Sequence, residues 1–287
     1  MNRLLVATDL SARSDRAVQR AALLARRFAC DWTLLHVVDD DGPRALIERR
    51  LSDARELLEN RVEGLALIAG RRPQVLVLVG DIEQTVSETA VGSGCQLLVL
   101  GMHRKSLLRE IFTGTSTERI IRSSRLPVLR VGATPETDYQ RLLLATDLSR
   151  CSALAVQTCR ELGLLEGSEV NVVHVFDAFV KGEQLFAGSD GETLARGTQA
   201  AEAEIEARLQ RFLREQRLEL PAAQVRIEEG FSVVVLKRLA EELAPDLLVI
   251  GTHERSGLKK MMLGSVAETL LSELQRDILC VPMPLAR

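Results

Sequence analysis

Four blocks of this sequence occur twice, in the same order, and the duplication constrains the fold more than any other feature. VATDLS at 6–11 returns as LATDLS at 144–149, and LLHVVD at 34–39 as VVHVFD at 172–177, both 138 positions on. QLLVLGMHRKS at 96–106 returns as DLLVIGTHERS at 246–256, and FTGTSTERII at 112–121 as MLGSVAETLL at 262–271, now 150 positions on. The four histidines follow the pattern, His36 with His174 and His103 with His253. A chain of 287 residues written as one unit twice divides into two domains of ordinary size, and two copies are too few for a solenoid, which needs about three.

Each copy alternates strand and helix signals. Arg3–Thr8 and Thr33–Val38 are apolar runs without alternation, the pattern of strands buried on both faces. Ser14–Phe28 carries apolar residues at helical spacing, and Arg44–Ile68 is a longer amphipathic helix marked by Leu51, Ala54, Leu58, Val62 and Leu65. Val75–Val79, Gln96–Leu100 and Val128–Val131 read as three further strands, with helices over Ile82–Val91 and Ser116–Ser123 between them. The second copy repeats this order, with a helix at Ala200–Arg217. Strands separated by helices imply parallel pairing and right-handed crossovers. The expected fold is α/β: two tandem, doubly wound, Rossmann-like five-stranded parallel sheets.

Gly132–Gln140 carries Gly, Pro and charge but no apolar period, which predicts domains at 1–132 and 141–287 joined by a linker at 133–140. Val128–Val131 and Ile278–Val281 are apolar strands at expected sheet edges, and pairing them in an internal pseudo-dimer removes two exposed edges at once. The twelve extra residues of the second copy fall within Asp177–Gly197, where glycines at 182, 188, 191 and 197 predict a loop. Phe176, Phe179 and Phe186 stand in or beside it. Such a loop either tucks its aromatics onto its own domain or serves as a lid or a docking surface for a protein partner.

Composition excludes several function classes. A net charge of −3 and an aromatic content of 3% argue against a nucleic-acid surface, which needs a basic patch or stacking platforms. The five cysteines, at 30, 95, 151, 159 and 280, form no C-x-x-C pair, so a reducing cytoplasm fits better than a disulfide framework or a structural zinc site. The opening MNRLLVATDLSARSD meets charge at once, unlike a secretory signal, and no apolar run approaches the roughly 18 residues of a membrane span. The phosphate-loop signature G-x-x-x-x-G-K-[ST] and the nucleophile elbow G-x-S-x-G are both missing, so a conventional enzyme is not expected, with a slow ATPase left open.

Ligands of open parallel sheets bind beyond the carboxyl ends of the strands. Three repeated features fall there. Asp9 and Asp147 close the first strand of each copy, where an Asp before a helical run serves equally as a helix N-cap or as an acceptor for a ligand. His36 and His174 read as strand histidines with a satisfied hydrogen bond; no carboxylate or cysteine stands at ligand spacing, so no metal site is expected. After the fourth strand, Gly101 is followed by Gly114-Thr115 and Gly251 by Gly264-Ser265, with 13 positions between the glycines in both copies. A glycine lets backbone N–H groups approach an anion, a helix start adds unpaired N–H groups, and a Thr or Ser hydroxyl donates to a phosphate oxygen.

These residues carry a resemblance. VATDLS and LATDLS, HVV and HVF, and above all GTHERSGLKKMMLGSVAE at 251–268 make almost the whole chain similar to the universal stress protein family in its tandem form. The resemblance implies a five-stranded parallel sheet, binding of ATP or a related adenine nucleotide with Mg²⁺, dimerisation, and a part in stress resistance. It places Asp9 and Asp147 by the ribose, Val37 and Val175 with their backbone at the base, and Gly101, Gly114, Thr115, Gly251, Gly264 and Ser265 at the phosphates. At one motif position both copies depart from the family: Arg104 and Glu254 replace its second glycine. A side chain there intrudes where backbone approaches phosphate, and Arg pairs with phosphate whereas Glu repels it. The sequence therefore ranks the N-terminal site, with Arg104, above the other. It also leaves open a non-catalytic interaction protein with vestigial sites.

Overall fold

The computed structural model describes residues 1–102, 116–176, 191–252 and 263–283, the side chains of 191–202 excepted. In the first copy β1 (Arg3–Ala7), α1 (Ala12–Phe28), β2 (Asp31–Val38), α2 (Arg44–Ala69), β3 (Gln74–Val79), α3 (Ile82–Gly92), β4 (Leu97–Gly101), α4 (Ser116–Ser123) and β5 (Val128–Val131) follow one another. The second copy gives β6 (Arg141–Thr146), α5 (Arg150–Glu161), β7 (Glu169–Phe176), α6 (Gly191–Glu215), β8 (Val225–Glu229), α7 (Ser232–Glu242), β9 (Leu247–Thr252), α8 (Ser265–Glu273) and β10 (Asp277–Pro282). The central strands are apolar on both faces because helices cover both: β1 buries Leu4, Leu5 and Val6 completely.

Each half has strand order 3-2-1-4-5 with parallel pairing, so the order reverses between β1 and β4 and again between β6 and β9. The two sheets are continuous. β5 pairs antiparallel with β10, giving ten strands in the order β3-β2-β1-β4-β5-β10-β9-β6-β7-β8. Leu129 stands opposite Leu279, the position 150 residues on, so a local two-fold passes between equivalent residues. Two apolar layers, one per face of the sheet, run across this seam, Leu129 and Leu279 in one and Val128 and Ile278 in the other.

Residues 132–140, which read as a linker, carry buried polar contacts. Asp277, fully buried at the start of β10, accepts hydrogen bonds from the N–H groups of Gly132 and Ala133 at 2.9 and 3.1 Å. Its other oxygen accepts from the Tyr139 hydroxyl at 2.6 Å and from Arg20 Nε of α1 at 3.0 Å. Arg20 also lies 4.1 Å from the Tyr139 ring centroid and donates to the Thr137 carbonyl. Burial, then the Asp277 charge, pushes the Tyr139 hydroxyl well above its ordinary pKa.

One expectation is corrected. The stretch read as loop through 197 is helical from Gly191, where α6 starts, rather than from Ala200. Two glycines cost a helix about 1 kcal/mol each, but Ile205, Leu209, Phe212 and Leu213 bury one face of the same helix and hold it. Residues 177–190 lie outside the described residues.

Candidate functional site

The same local construction closes β1 and β6. The chain leaves the strand at Thr8 or Thr146, and the next-but-one residue, Leu10 or Leu148, adopts a left-handed φ of 63° or 64°. The Thr hydroxyl accepts from that leucine's N–H at 3.0 Å in the first copy and 2.9 Å in the second. The Asp between them accepts at Oδ1 from the N–H two residues on, Ser11 for Asp9 and Ser149 for Asp147. The helix caps are therefore Ser11 and Ser149, whose side chains accept from Ser14 N and Ser152 N. The aspartates are not caps; each sits two residues earlier, exposed at the carboxyl end of the sheet.

The histidines do what strand histidines usually do. His36 Nδ1 lies 2.8 Å from the Thr8 carbonyl, and His174 Nδ1 lies 2.8 Å from that of Thr146. A carbonyl only accepts, so Nδ1 carries the proton in both rings. Each ring braces the strand end that presents the Asp. Among the described residues no group of three or more His, Cys, Asp or Glu is placed to hold a metal ion.

Gly101 and Gly251 have a packing role that spacing alone did not reveal. A Cβ on Gly101 would stand 3.0 Å from Ser14 Cα, and one on Gly251 would stand 2.8 Å from Cys151 Sγ and 2.9 Å from its carbonyl carbon. The first turns of α1 and α5 thus lie directly on β4 and β9, and only glycine admits them.

Two cavities open where the strand order reverses. The first, about 520 Å³, brings together Asp9, Val37 and Gly101, with His36, Met102, and Arg50 and Asp53 of α2 at its margin. The second, about 470 Å³, brings together Asp147, Val175, Gly251, Gly264 and Ser265, walled by Leu236 and Ile250. Gly264 is the N-cap of α8 and has no side-chain cap bond. The N–H groups of Ser265, Val266 and Ala267 therefore have no intrahelical acceptor at the edge of this cavity. Arg104, Gly114, Thr115 and Glu254 lie outside the described residues.

The universal stress protein family model matches residues 1–132 and again 138–282. The chain belongs to the universal stress protein family. This universal stress protein is 23% identical over 291 residues to one from Mycolicibacterium smegmatis, covering 97% of this chain and 96% of that protein. It is 30% identical over 147 residues to universal stress protein A homolog 1 of Coxiella burnetii, covering half of this chain and 97% of that shorter protein. A solved universal stress protein from Archaeoglobus fulgidus superposes with a TM-score of 0.70 at 19% identity, covering 98% of both chains, which establishes the tandem fold. Among the described residues no helix is long and apolar enough to cross a membrane.

Proposed function

We propose that this chain is a non-catalytic stress-response module that takes an adenine nucleotide, ATP with Mg²⁺ or a close relative, in its strand-end cavities. One observation carries the reading: the second cavity runs from a carboxylate, Asp147, past apolar walls at Val175, Leu236 and Ile250, to the uncapped N-terminus of α8. A ribose hydroxyl suits the carboxylate, a flat base the apolar slot, and phosphate the unpaired N–H groups and positive dipole end. The first cavity supports the same reading through Asp9, Val37 and Gly101. Val37 and Val175 offer backbone to the base, and Gly101, Gly114, Thr115, Gly251, Gly264 and Ser265 surround the phosphates. Arg104 pairs with phosphate and Glu254 opposes it, so the N-terminal site is the stronger.

Mass spectrometry of chain purified without added ligand and then denatured tests occupancy: a released adenine nucleotide is the expected result. Titration calorimetry with ATP and Mg²⁺ then ranks the sites. If only one site holds nucleotide, it is the N-terminal one: Glu254→Gly then adds or strengthens a site, and Gly114→Asp abolishes the parent's binding. Parent binding that survives Gly114→Asp reverses the ranking. A second reading, an interaction protein with vestigial sites, is favoured by the exposed Phe231 and Val234 near the second cavity, and absence of nucleotide in both experiments selects it.

A further inference from the structure

All five cysteines are buried and free of disulfides. Burial holds the Cys95 and Cys151 thiols up at about 11 and those of Cys159 and Cys280 at about 12. The thiolate is the reactive form, so at neutral pH these four meet an oxidant slowly. A thioether needs no deprotonation. Met102 follows β4 in the wall of the first cavity, half-buried, with its N–H donating to the Val131 carbonyl at 3.1 Å. Its Sδ accepts from Nη1 of Arg130 at 3.3 Å.

Arg130 is 1% exposed. Its Nη2 donates to the Leu274 carbonyl at 3.0 Å, and its Nε has no partner. Thioether sulfur is a weak acceptor, so this cation is buried with fewer good acceptors than its five donors call for. The second copy supplies the control. The equivalent residues, 150 positions on, are Thr252 and Cys280, and Thr252 Oγ1 donates to the Val281 carbonyl at 3.3 Å. The fold therefore does not require a sulfur–guanidinium contact at this place, yet the first copy has one on a half-buried residue that lines the cavity.

We propose that Met102 is a modification site for hydrogen peroxide, and that its sulfoxide is received by the buried guanidinium of Arg130. The Sδ lone pair attacks one peroxide oxygen, and the S–O bond forms as the O–O bond breaks. Sulfur loses two electrons and the peroxide gains them. The departing hydroxide takes the proton of the transferred hydroxyl and leaves as water, with the sulfoxide oxygen remaining on sulfur. A methionine sulfoxide ordinarily disrupts an apolar environment. Here it replaces a weak acceptor with a strong one beside a cation, a charge-assisted hydrogen bond. Arg130 also binds Leu274, the residue that ends α8, so the modification tightens the seam between the copies.

Peroxide treatment of the full chain, followed by peptide mapping and thermal unfolding, tests this. Met102 is expected to convert as readily as the half-buried Met1 while the chain stays folded. The oxidised chain is expected to melt about 2–4 °C above its reduced form, the displacement that one such bond gives a chain of this size. Met102→Gln, which fixes an amide oxygen in the same place, is expected to reproduce the rise without peroxide. Met102→Leu is expected to melt lower and to show no rise on oxidation. Met102 left intact while Met1 is fully oxidised overturns the proposal. So does an oxidised chain or a Met102→Gln variant that melts no higher than Met102→Leu.

Discussion

The two copies build the same strand-end turn from nearly the same residues, yet they finish their surroundings differently. In both, an Asp, a left-handed Leu, a capping Ser, a Thr hydroxyl and a His on a carbonyl recur with hydrogen bonds that match to within about a tenth of an ångström in the Thr, Asp and His contacts. Around that common piece the first copy has Arg20, Asp81, Met102 and Arg130, and the second has Thr158, Phe231, Thr252 and Cys280 at the equivalent positions. Agreement between copies marks what this fold needs to build the cavity at its strand ends. Difference marks what each copy does on its own account: the seam pairs equivalent apolar strands, but its buried polar contacts, through Asp277, Arg20 and Arg130, rest on residues that the other copy lacks.

The largest expected effect follows from the most asymmetric contact. Asp277 has Pro127 as its equivalent, and Arg20 has Thr158. The ion pair therefore exists once across the local two-fold, at side-chain exposures of 0% and 5%. Asp277→Ala leaves Arg20 and the Tyr139 hydroxyl buried without their shared acceptor, which costs about 3–5 kcal/mol. Urea unfolding of the full chain measures it. A loss below about 1 kcal/mol would mean that the network is incidental to the seam.

Next is alkaline pH, which weighs on the second copy because it holds three of the five cysteines. Thiols at about 11 and about 12 in the folded chain ionise near 9.0 once exposed. Above that pH the unfolded state has shed protons that the native state keeps, so stability is whole below it and falls as pH rises. Each fully buried thiol contributes roughly 1.4 kcal/mol per pH unit in that window. Melting temperature against pH is expected to bend downward above about pH 9, and Cys280→Ala is expected to flatten the bend. An unchanged slope in that variant removes Cys280 from the account.

The close helix–strand approach gives a smaller effect that separates the copies. Gly251→Ala meets Cys151 at 2.8–2.9 Å, whereas Gly101→Ala meets Ser14 at 3.0–3.3 Å. Overpacking of this kind costs about 1–3 kcal/mol, with Gly251→Ala the more costly. Thermal unfolding of the two variants side by side decides it, and the reverse order would show that α5 yields more easily than α1.

Much of this was legible in the sequence. Strand and helix order followed from apolar runs and periodicity, and the pairing of the closing strands followed from their apolar edges. The repeat brought Asp9, Val37 and Gly101 to one cavity and Asp147, Val175, Gly251, Gly264 and Ser265 to the other. The seam network was not legible. Arg20 lies in a helix rich in arginine, where a charge reads as solvent-facing, and Tyr139 lies in a stretch that reads as a linker. Nothing local says that both will meet Asp277 well over a hundred residues away. A signal did exist: aligned copies that carry Arg against Thr and Asp against Pro at otherwise apolar positions point to an asymmetric contact. The start of α6 was missed because Gly191 and Gly197 speak for a loop, while the apolar face that holds the helix lies a turn or more further on.

The smallest effect concerns the start of the third helix in each copy, and it bears on why the copies diverged. Asp81 caps α3, its carboxylate accepting from Gln84 N at 2.9 Å. At the equivalent position Phe231 precedes α7 with no side-chain cap, 68% exposed, and Val234 beside it is 63% exposed. The second copy thus does without a cap worth about 0.5–2 kcal/mol and exposes apolar surface instead. Nothing in local stability favours that exchange. Phe231→Asp restores the first copy's arrangement, because the backbone before α7 is already extended, at φ −72° and ψ 120°, much as it is before α3 at −60° and 127°. The variant is expected to gain about 0.5–1 kcal/mol, read as a higher urea midpoint at unchanged slope. If it loses stability instead, Phe231 is held by contacts within the chain, and the exposed rim belongs to the second copy's own packing rather than to anything that binds there.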